Sequence, residues 1–255
     1  MQYYDAFSVV YEYGTEKLHG GHRRKALDLL HLNPGDTVLD VPTGTGANLP
    51  LLMERVGATG HVYAVDYSPG MLARARKKVD AAGWDNVTLV ESDARLLSSE
   101  LIGTEQVDTA ICMLGLSVIP DWQDVFERIY ALVRPGGRVV IMDLFLDGKR
   151  TSGLACRYYR TIAQADQRRR FWEPLESLVE DFEVIDHDWF GGVARIVAGT
   201  KPIVIDLRDT PSTAAPGAAT PSTATPSTAA PSIADEAADA ENPAEGAVRE
   251  FVTPE

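Results

Sequence analysis

Cysteine is scarce in this chain. Cys112 and Cys156 are its only two, too few for a disulfide framework. Cys112 lies within an apolar run and is read as a small core residue rather than a nucleophile. No apolar stretch approaches the roughly 18 residues of a membrane-spanning helix. The opening residues, MQYYDAFSVV, lack a basic start and a long apolar segment, so no secretory signal is expected and the cytoplasm is the expected location. Positive charge is in the minority, 24 Lys and Arg against 37 Asp and Glu for a net charge of −13, which argues against a nucleic-acid partner. Histidine is sparse too. His19 and His22 sit three residues apart with no cysteine or acid beside them to complete a metal set, so no metal site is expected.

What is present begins at Thr37–Gly46, TVLDVPTGTG. A short apolar run ends in Asp40, breaks into a loop carrying Gly44 and Gly46, and resumes as a helical pattern. Twenty residues beyond Gly46, a second apolar run within HVYAVDYSPGML ends in Asp66. This pattern predicts a strand, a glycine turn, a helix and a second strand with a carboxylate at its tip. Such a turn lets backbone approach a ligand closely, and the tip carboxylate is placed to accept ribose hydroxyls. An adenosine-containing cofactor is therefore expected.

The loop narrows the choice. A dinucleotide fingerprint needs G-x-G-x-x-G, whereas Leu49 stands at the third glycine position. A phosphate-cradling P-loop needs G-K-[ST] after its glycines, and none follows. Asp40 would repel a pyrophosphate and suit a cationic amino-acid moiety.

Alternating elements continue downstream. Val87–Ala94, Val107–Leu114 and Arg134–Asp143 read as strands, the last entered by a Pro-Gly-Gly turn. Helices are predicted near Gly21–Leu32, Asn48–Val56, Gly70–Ala82 and Asp121–Val133. Phe182–Trp189 and Ala194–Thr200 read as a hairpin through Gly191 and Gly192. Three segments are expected: an N-terminal helical lid over residues 1–30, a globular domain over 31–205, and a disordered acidic tail over 206–255. The tail repeats PSTA at Pro211, Pro221 and Pro226 and carries nine acids against Arg208 and Arg249. It has too little bulky apolar surface to offset its ordering entropy.

These motifs, in this order, resemble the class I S-adenosylmethionine (SAM)-dependent methyltransferases, whose first motif reads acid-x-G-x-G-x-G; Pro42 replaces the first glycine here. The resemblance covers residues 30 to 147 well and extends loosely to about 202. It implies an α/β, Rossmann-like, doubly wound fold: a mostly parallel seven-stranded sheet with an antiparallel C-terminal hairpin and helices on both faces. It implies SAM as cofactor, with Asp40, Thr43, Gly44, Gly46, Asp66, Tyr67, Met71, Asp93, Ala94 and Met113 as binding residues. Within that set Asp66 holds the ribose, Asp93 faces the adenine amino group, and Tyr67 and Met71 cover the ring. No catalytic residue is assigned, because methyl transfer from a sulfonium needs alignment more than a base.

The place after the fourth strand reads CMLGLS. The [ND]-P-P-[YF] motif of base- and amide-methylating enzymes is missing there, which points to a small-molecule or lipid acceptor. The ubiquinone/menaquinone C-methyltransferases and the bacterial phosphatidylethanolamine N-methyltransferases are the groups it resembles most. A non-catalytic SAM-fold module and an NAD-binding oxidoreductase are the alternatives. Two segments carry open readings. The lid aromatics Tyr3, Tyr4, Phe7, Tyr11 and Tyr13 either pack on a ligand or seal the core. Lys149–Arg170 holds seven cations against Asp166 alone, with aromatics to Trp172. Residues 149–172 either touch an anionic membrane surface from the cytoplasmic side or form a solvated face paired with local acids.

Overall fold

The computed structural model describes residues 20–145, 165, 166, 168–189 and 192–203. Its strands are β1 (Thr37–Asp40), β2 (His61–Asp66), β3 (Val87–Glu91), β4 (Val107–Met113), β5 (Val133–Phe145), β6 (Glu180–Trp189) and β7 (Gly192–Thr200). They form one sheet in the order β3-β2-β1-β4-β5-β7-β6. The first five run parallel, and β7 lies antiparallel between β5 and β6. β1 is internal, flanked by β2 and β4, and three of its four residues are buried, as befits a strand covered on both faces.

Period-two alternation sends successive side chains to two cores. Val38, Val62, Ile111 and Val140 pack with Leu27 and Leu30, with Leu49, Leu52 and Val56, and with Ala75 and Val79. These come from helices α1 (residues 20–28), with Leu30 in the turn that follows it, α2 (Leu49–Val56) and α3 (Pro69–Ala82). Leu39, Val65, Cys112 and Ile141 pack on the other face with Val125, Phe126 and Ile129 of α5 (Trp122–Leu132) and with Phe171 and Leu175. Leu175 belongs to a short helix, Glu173–Leu178. The helices thus cover both faces of a mostly parallel seven-stranded sheet closed by an antiparallel hairpin.

Local chemistry sets the helix ends. The Ser68 hydroxyl accepts from Met71 N–H at the start of α3, Pro69 occupies its first turn, and Gly83 ends it in the left-handed region, each a favoured choice. α4 (Ser99–Ile102) is capped by Ser98. Neither it, the 3₁₀ turn Ala94–Leu96, nor Glu173–Leu178 was apparent from sequence periodicity, because each spans too few residues to show a repeat.

Two predicted boundaries need correction. The third strand ends at Glu91 rather than running to Ala94, since Asp93 instead caps the 3₁₀ turn. Pro135-Gly136-Gly137 is not a turn preceding β5 but a bulge inside it, where pairing jumps from Val107–Val133 to Thr109–Arg138. Gly136 N–H and Lys201 N–H each bond across this bulge, to Lys201 and Gly137 carbonyls at 2.8 Å. The bulge is therefore stitched to the chain leaving β7 and keeps strand pairing on both sides.

The chain divides into two units, Met1–Asp206 and Leu207–Glu255. The tail, the lid aromatics, His19, Cys156, Gly191 and residues 149–164 lie outside the described residues.

Candidate cofactor site

The strand order reverses direction at β1, with β2 and β3 laid down on one side and β4 and β5 on the other. In a doubly wound sheet this leaves a crevice beyond the carboxyl ends of the strands. A cleft of about 360 Å³ lies there, lined by the loop after β1, the tips of β2, β3 and β4, and the loop after β4. That volume falls within the usual range of small-molecule sites.

The loop after β1 is held from beneath. Its backbone is tied to the sheet by Val41 N–H to the Ile111 carbonyl at 3.1 Å and Thr43 N–H to the Val65 carbonyl at 2.8 Å. Asp40 is fully buried and accepts from the Thr43 hydroxyl at 2.7 Å and from Asn48 Nδ2 at 2.8 Å. Asn48 Oδ1 in turn accepts from Arg23 Nε at 2.8 Å. Burial pushes the Asp40 carboxyl up to about 6, against the lowering pull of Thr43, Asn48 and Arg23. The expectation that Asp40 faces the cofactor's amino-acid moiety is corrected here. It is not among the cleft's walls, because both carboxylate oxygens are spent under the loop.

The two glycines divide the labour. Gly44 faces the cleft at φ +58°, with open space where a Cβ would sit, so a ligand can press against its backbone. Gly46 points inward and does not line the cleft, a second correction. A Cβ there would stand 2.8 Å from Leu49 Cδ1 and 3.0 Å from Ala75 Cβ. Its bareness is what lets the loop pack on α3.

At the tip of β2, Asp66 accepts from Gly44 N–H at 2.7 Å and from Ser68 N–H at 2.9 Å. Burial raises its carboxyl above the ordinary range, and these backbone donors oppose the rise. Tyr67 is more than half exposed and Met71 is buried; both reach the cleft. At the tip of β3, Asp93 accepts from Arg95 N–H at 2.9 Å and from Arg95 Nη2 at 2.6 Å. Its ion pair with Arg95 holds its carboxyl below the usual value. Asp93 and Ala94 line the cleft, but the carboxylate expected to meet an adenine amino group is engaged with its own neighbour. Met113 ends β4 at the opposite wall, followed by Leu114, Val118, Ile119 and Pro120.

Eight of the ten residues singled out from sequence therefore meet around one cleft, and Asp40 and Gly46 support it from below. Sequence reading missed Arg23, Asn48, Ser68, Ser92, Arg95 and Val118–Pro120 as lining residues. Asn48 stands at the start of the predicted Asn48–Val56 helix, a position next to the glycine loop from which a site role could have been read. Arg23 lies 25 residues from its partner Asn48, and no local spacing announces that contact.

The loop after β4 is fixed by a residue expected elsewhere. Arg169 Nη1 donates to the Leu116 carbonyl at 2.5 Å and the Ile119 carbonyl at 2.6 Å. Arg168 pairs with Asp166, and Arg170 with Glu173. Ser117 N–H bonds the buried Asp143 carboxylate at 2.8 Å, and burial pushes that carboxyl up to about 6. Where described, the arginines at 168–170 thus have local partners, Arg168 and Arg170 while still largely exposed. Cys112 is buried and its thiol is pushed well up by desolvation, in keeping with a core residue. No metal-holding group of His, Cys, Asp and Glu is found among the described residues.

Comparison with known proteins bears on the family. A family model described as "Methyltransferase domain" matches residues 38–137, the stretch that builds β1 to β4, α5 and the start of β5. That match and the relatives below support a class I SAM-dependent methyltransferase domain. A phosphatidylethanolamine N-methyltransferase of Cereibacter sphaeroides is 37% identical to this methyltransferase over 143 residues, 55% of this chain and 66% of the relative. A demethylmenaquinone methyltransferase of Listeria welshimeri serovar 6b is 31% identical over 140 residues, 55% of this chain and 57% of the relative. Both matches span less than two thirds of the relative's length. A SAM-dependent methyltransferase from Aquifex aeolicus shares the fold at TM-score 0.52 and 23% identity, over 70% of this chain and 89% of its own. The oxidoreductase alternative is set aside by these matches, and SAM is the cofactor of the family.

Proposed function

We propose that this methyltransferase moves the methyl group of SAM to a small-molecule or lipid acceptor, with a phospholipid amine or a quinone precursor the candidates. The observation that carries it is the cleft itself: a bare Gly44 and the Asp66 tip on one side, and an apolar wall of Met113, Leu114, Val118, Ile119 and Pro120 on the other. The names of the two relatives, one acting on phosphatidylethanolamine and one on demethylmenaquinone, support the acceptor classes.

The residues fit the cofactor. Gly44 leaves room at the backbone, and Asp66 stands where a ribose is accepted in this class of fold. SAM supplies a methyl carbon already activated on a sulfonium. The chain's own contribution is to hold the reactants in line and keep water out, which the apolar wall serves. Histidine is absent from the described residues lining the cleft. An amine acceptor needs only its neutral form, whereas a ring carbon needs its neighbouring hydroxyl ionised. Contact with an anionic membrane through residues 149–172 belongs to this proposal, and the local partners of Arg168, Arg169 and Arg170 compete with it.

The test is incubation of the purified protein with isotopically methyl-labelled SAM and lipid or quinone extracts, followed by mass spectrometry of the products. A labelled phospholipid amine or quinone supports the reading and selects the acceptor. SAM binding with no labelled product in either extract would leave the non-catalytic module in its place.

A further inference from the structure

We propose that Arg95, by occupying the Asp93 carboxylate, takes the purine amino group out of this cleft's specificity, so that a cofactor bearing a 6-oxo purine binds nearly as well as one bearing adenine. The inference rests on the SAM reading above and deepens it at the β3 end of the cleft.

A carboxylate only accepts hydrogen bonds. Standing alone at the tip of β3, Asp93 would favour the amino donor of adenine and repel the carbonyl of a 6-oxo base. It does not stand alone. Arg95 Nε donates to both of its oxygens at 3.1 Å, Arg95 Nη2 donates to Oδ2 at 2.6 Å, and Arg95 N–H donates to Oδ1 at 2.9 Å. This is a two-pronged, charge-assisted contact of the strong kind. It comes from within the 3₁₀ turn that Asp93 itself caps, so the turn sets its geometry without any ligand. The hydrogen bond from Arg95 holds the Asp93 carboxyl below its usual value, and the pair stays ionic at neutral pH.

Sites reject an analogue strongly where its missing group leaves a buried polar atom unpaired. Asp93 keeps its Arg95 donors whether or not an amino group arrives, so losing that group costs little. Arg95 also lines the cleft and brings donors of its own. Its Nε and Nη2 serve Asp93 while Nη1 reaches toward Asp121 at 3.4 Å, and a guanidinium carries more N–H groups than these contacts use. A purine carbonyl that Asp93 would repel therefore meets a donor beside it. Asp66 is the one other carboxylate among the described lining residues. It stands at the tip of β2, bonded to Gly44 and Ser68, and does not take over the reading of the amino group.

The test uses two ligands that differ at the purine alone, S-adenosylhomocysteine and its deaminated counterpart S-inosylhomocysteine. Calorimetry on the full wild-type chain should give dissociation constants within about threefold of each other. Arg95→Ala uncovers the Asp93 carboxylate, and the ratio should then widen to about tenfold or more in favour of the adenine ligand, the effect of a charged acceptor facing a carbonyl. Asp121→Asn leaves the contact on Asp93 in place and should keep the wild-type ratio. A wild type that prefers adenine by about tenfold or more would overturn the proposal. So would an unchanged ratio in Arg95→Ala, or a widened one in Asp121→Asn. Should Arg95→Ala fail to fold, the wild-type ratio decides by itself. Failure of the wild type to bind either ligand would instead sink the cofactor reading, a distinct result.

Discussion

The carboxylate of Asp66 holds the backbone of Gly44 by a 2.7 Å hydrogen bond across 22 residues of sequence. One acid at the tip of β2 therefore fixes the glycine loop and stands where the cofactor ribose is held in this class of fold. The two roles share a single side chain, so disturbing it acts on loop order and on ligand affinity together.

Asp66→Ala is expected to weaken SAM binding by about 2–3 kcal/mol, since bonds to a charged acceptor are lost. Asp66→Asn, which keeps one acceptor for either Gly44 or Ser68, should lose less. Calorimetry checks both, and equal SAM affinity in wild type and Asp66→Ala would show that the anchor lies elsewhere.

The two loop glycines should fail differently. Gly46→Ala forces a methyl against Leu49 and Ala75 at a φ of +75°, and should cost about 1–3 kcal/mol of folding stability. Gly44→Ala meets open space within the protein, so its stability loss should be smaller and its loss of SAM affinity larger. Urea unfolding and SAM titration of both variants separate the two; parallel behaviour would contradict the division.

The buried acids set a pH dependence. Asp40 and Asp143 titrate at about 6 in the fold, above their unfolded value of roughly 3.9. A raised carboxyl binds its proton more tightly when folded, so its stabilising contribution is full below about pH 4 and is lost as pH rises through 6. The lowered values of His22, His61 and His187 act oppositely, their contribution being lost as pH falls below the ordinary histidine value. Comparing wild type with Asp143→Asn isolates the acid. Between pH 5 and 7.5 the wild type should lose more unfolding free energy than the variant, as read by urea titration. Identical pH slopes would mean that Asp143 does not titrate in this window.

Arg169 and Arg168 are neighbours with unequal work. Arg169→Ala leaves the Leu116 and Ile119 carbonyls without their guanidinium donor and should destabilise by about 1–3 kcal/mol. Arg168→Ala removes a solvent-exposed pair and should change stability by under about 1 kcal/mol. Thermal unfolding of the two distinguishes a loop clamp from an interchangeable basic surface.

The order of strands and helices was legible because apolar periodicity and turn residues report local structure. Val38-Leu39, Val62–Val65 and the Ser68-Pro69 start of α3 each follow from neighbours a few residues apart. The antiparallel hairpin was legible for the same reason. The sequence also pointed to Gly44, Asp66 and Met113, since strand tips in this fold gather at one edge of the sheet. Which way each side chain turns there is a tertiary matter. Asp40 is drawn under the loop by Thr43 and Asn48, and Gly46 is turned into the packing of α3. Asp93 is taken by Arg95, and Arg169 is bent onto the loop after β4. Arg23 reaches Asn48 because α1 packs against the face of the sheet that also carries α2. The sequence by itself determined the elements and the edge at which they meet. Only the folded chain decided which carboxylates face the cleft and which are spent beneath it, because burial and long-range hydrogen bonds pair groups that no spacing relates.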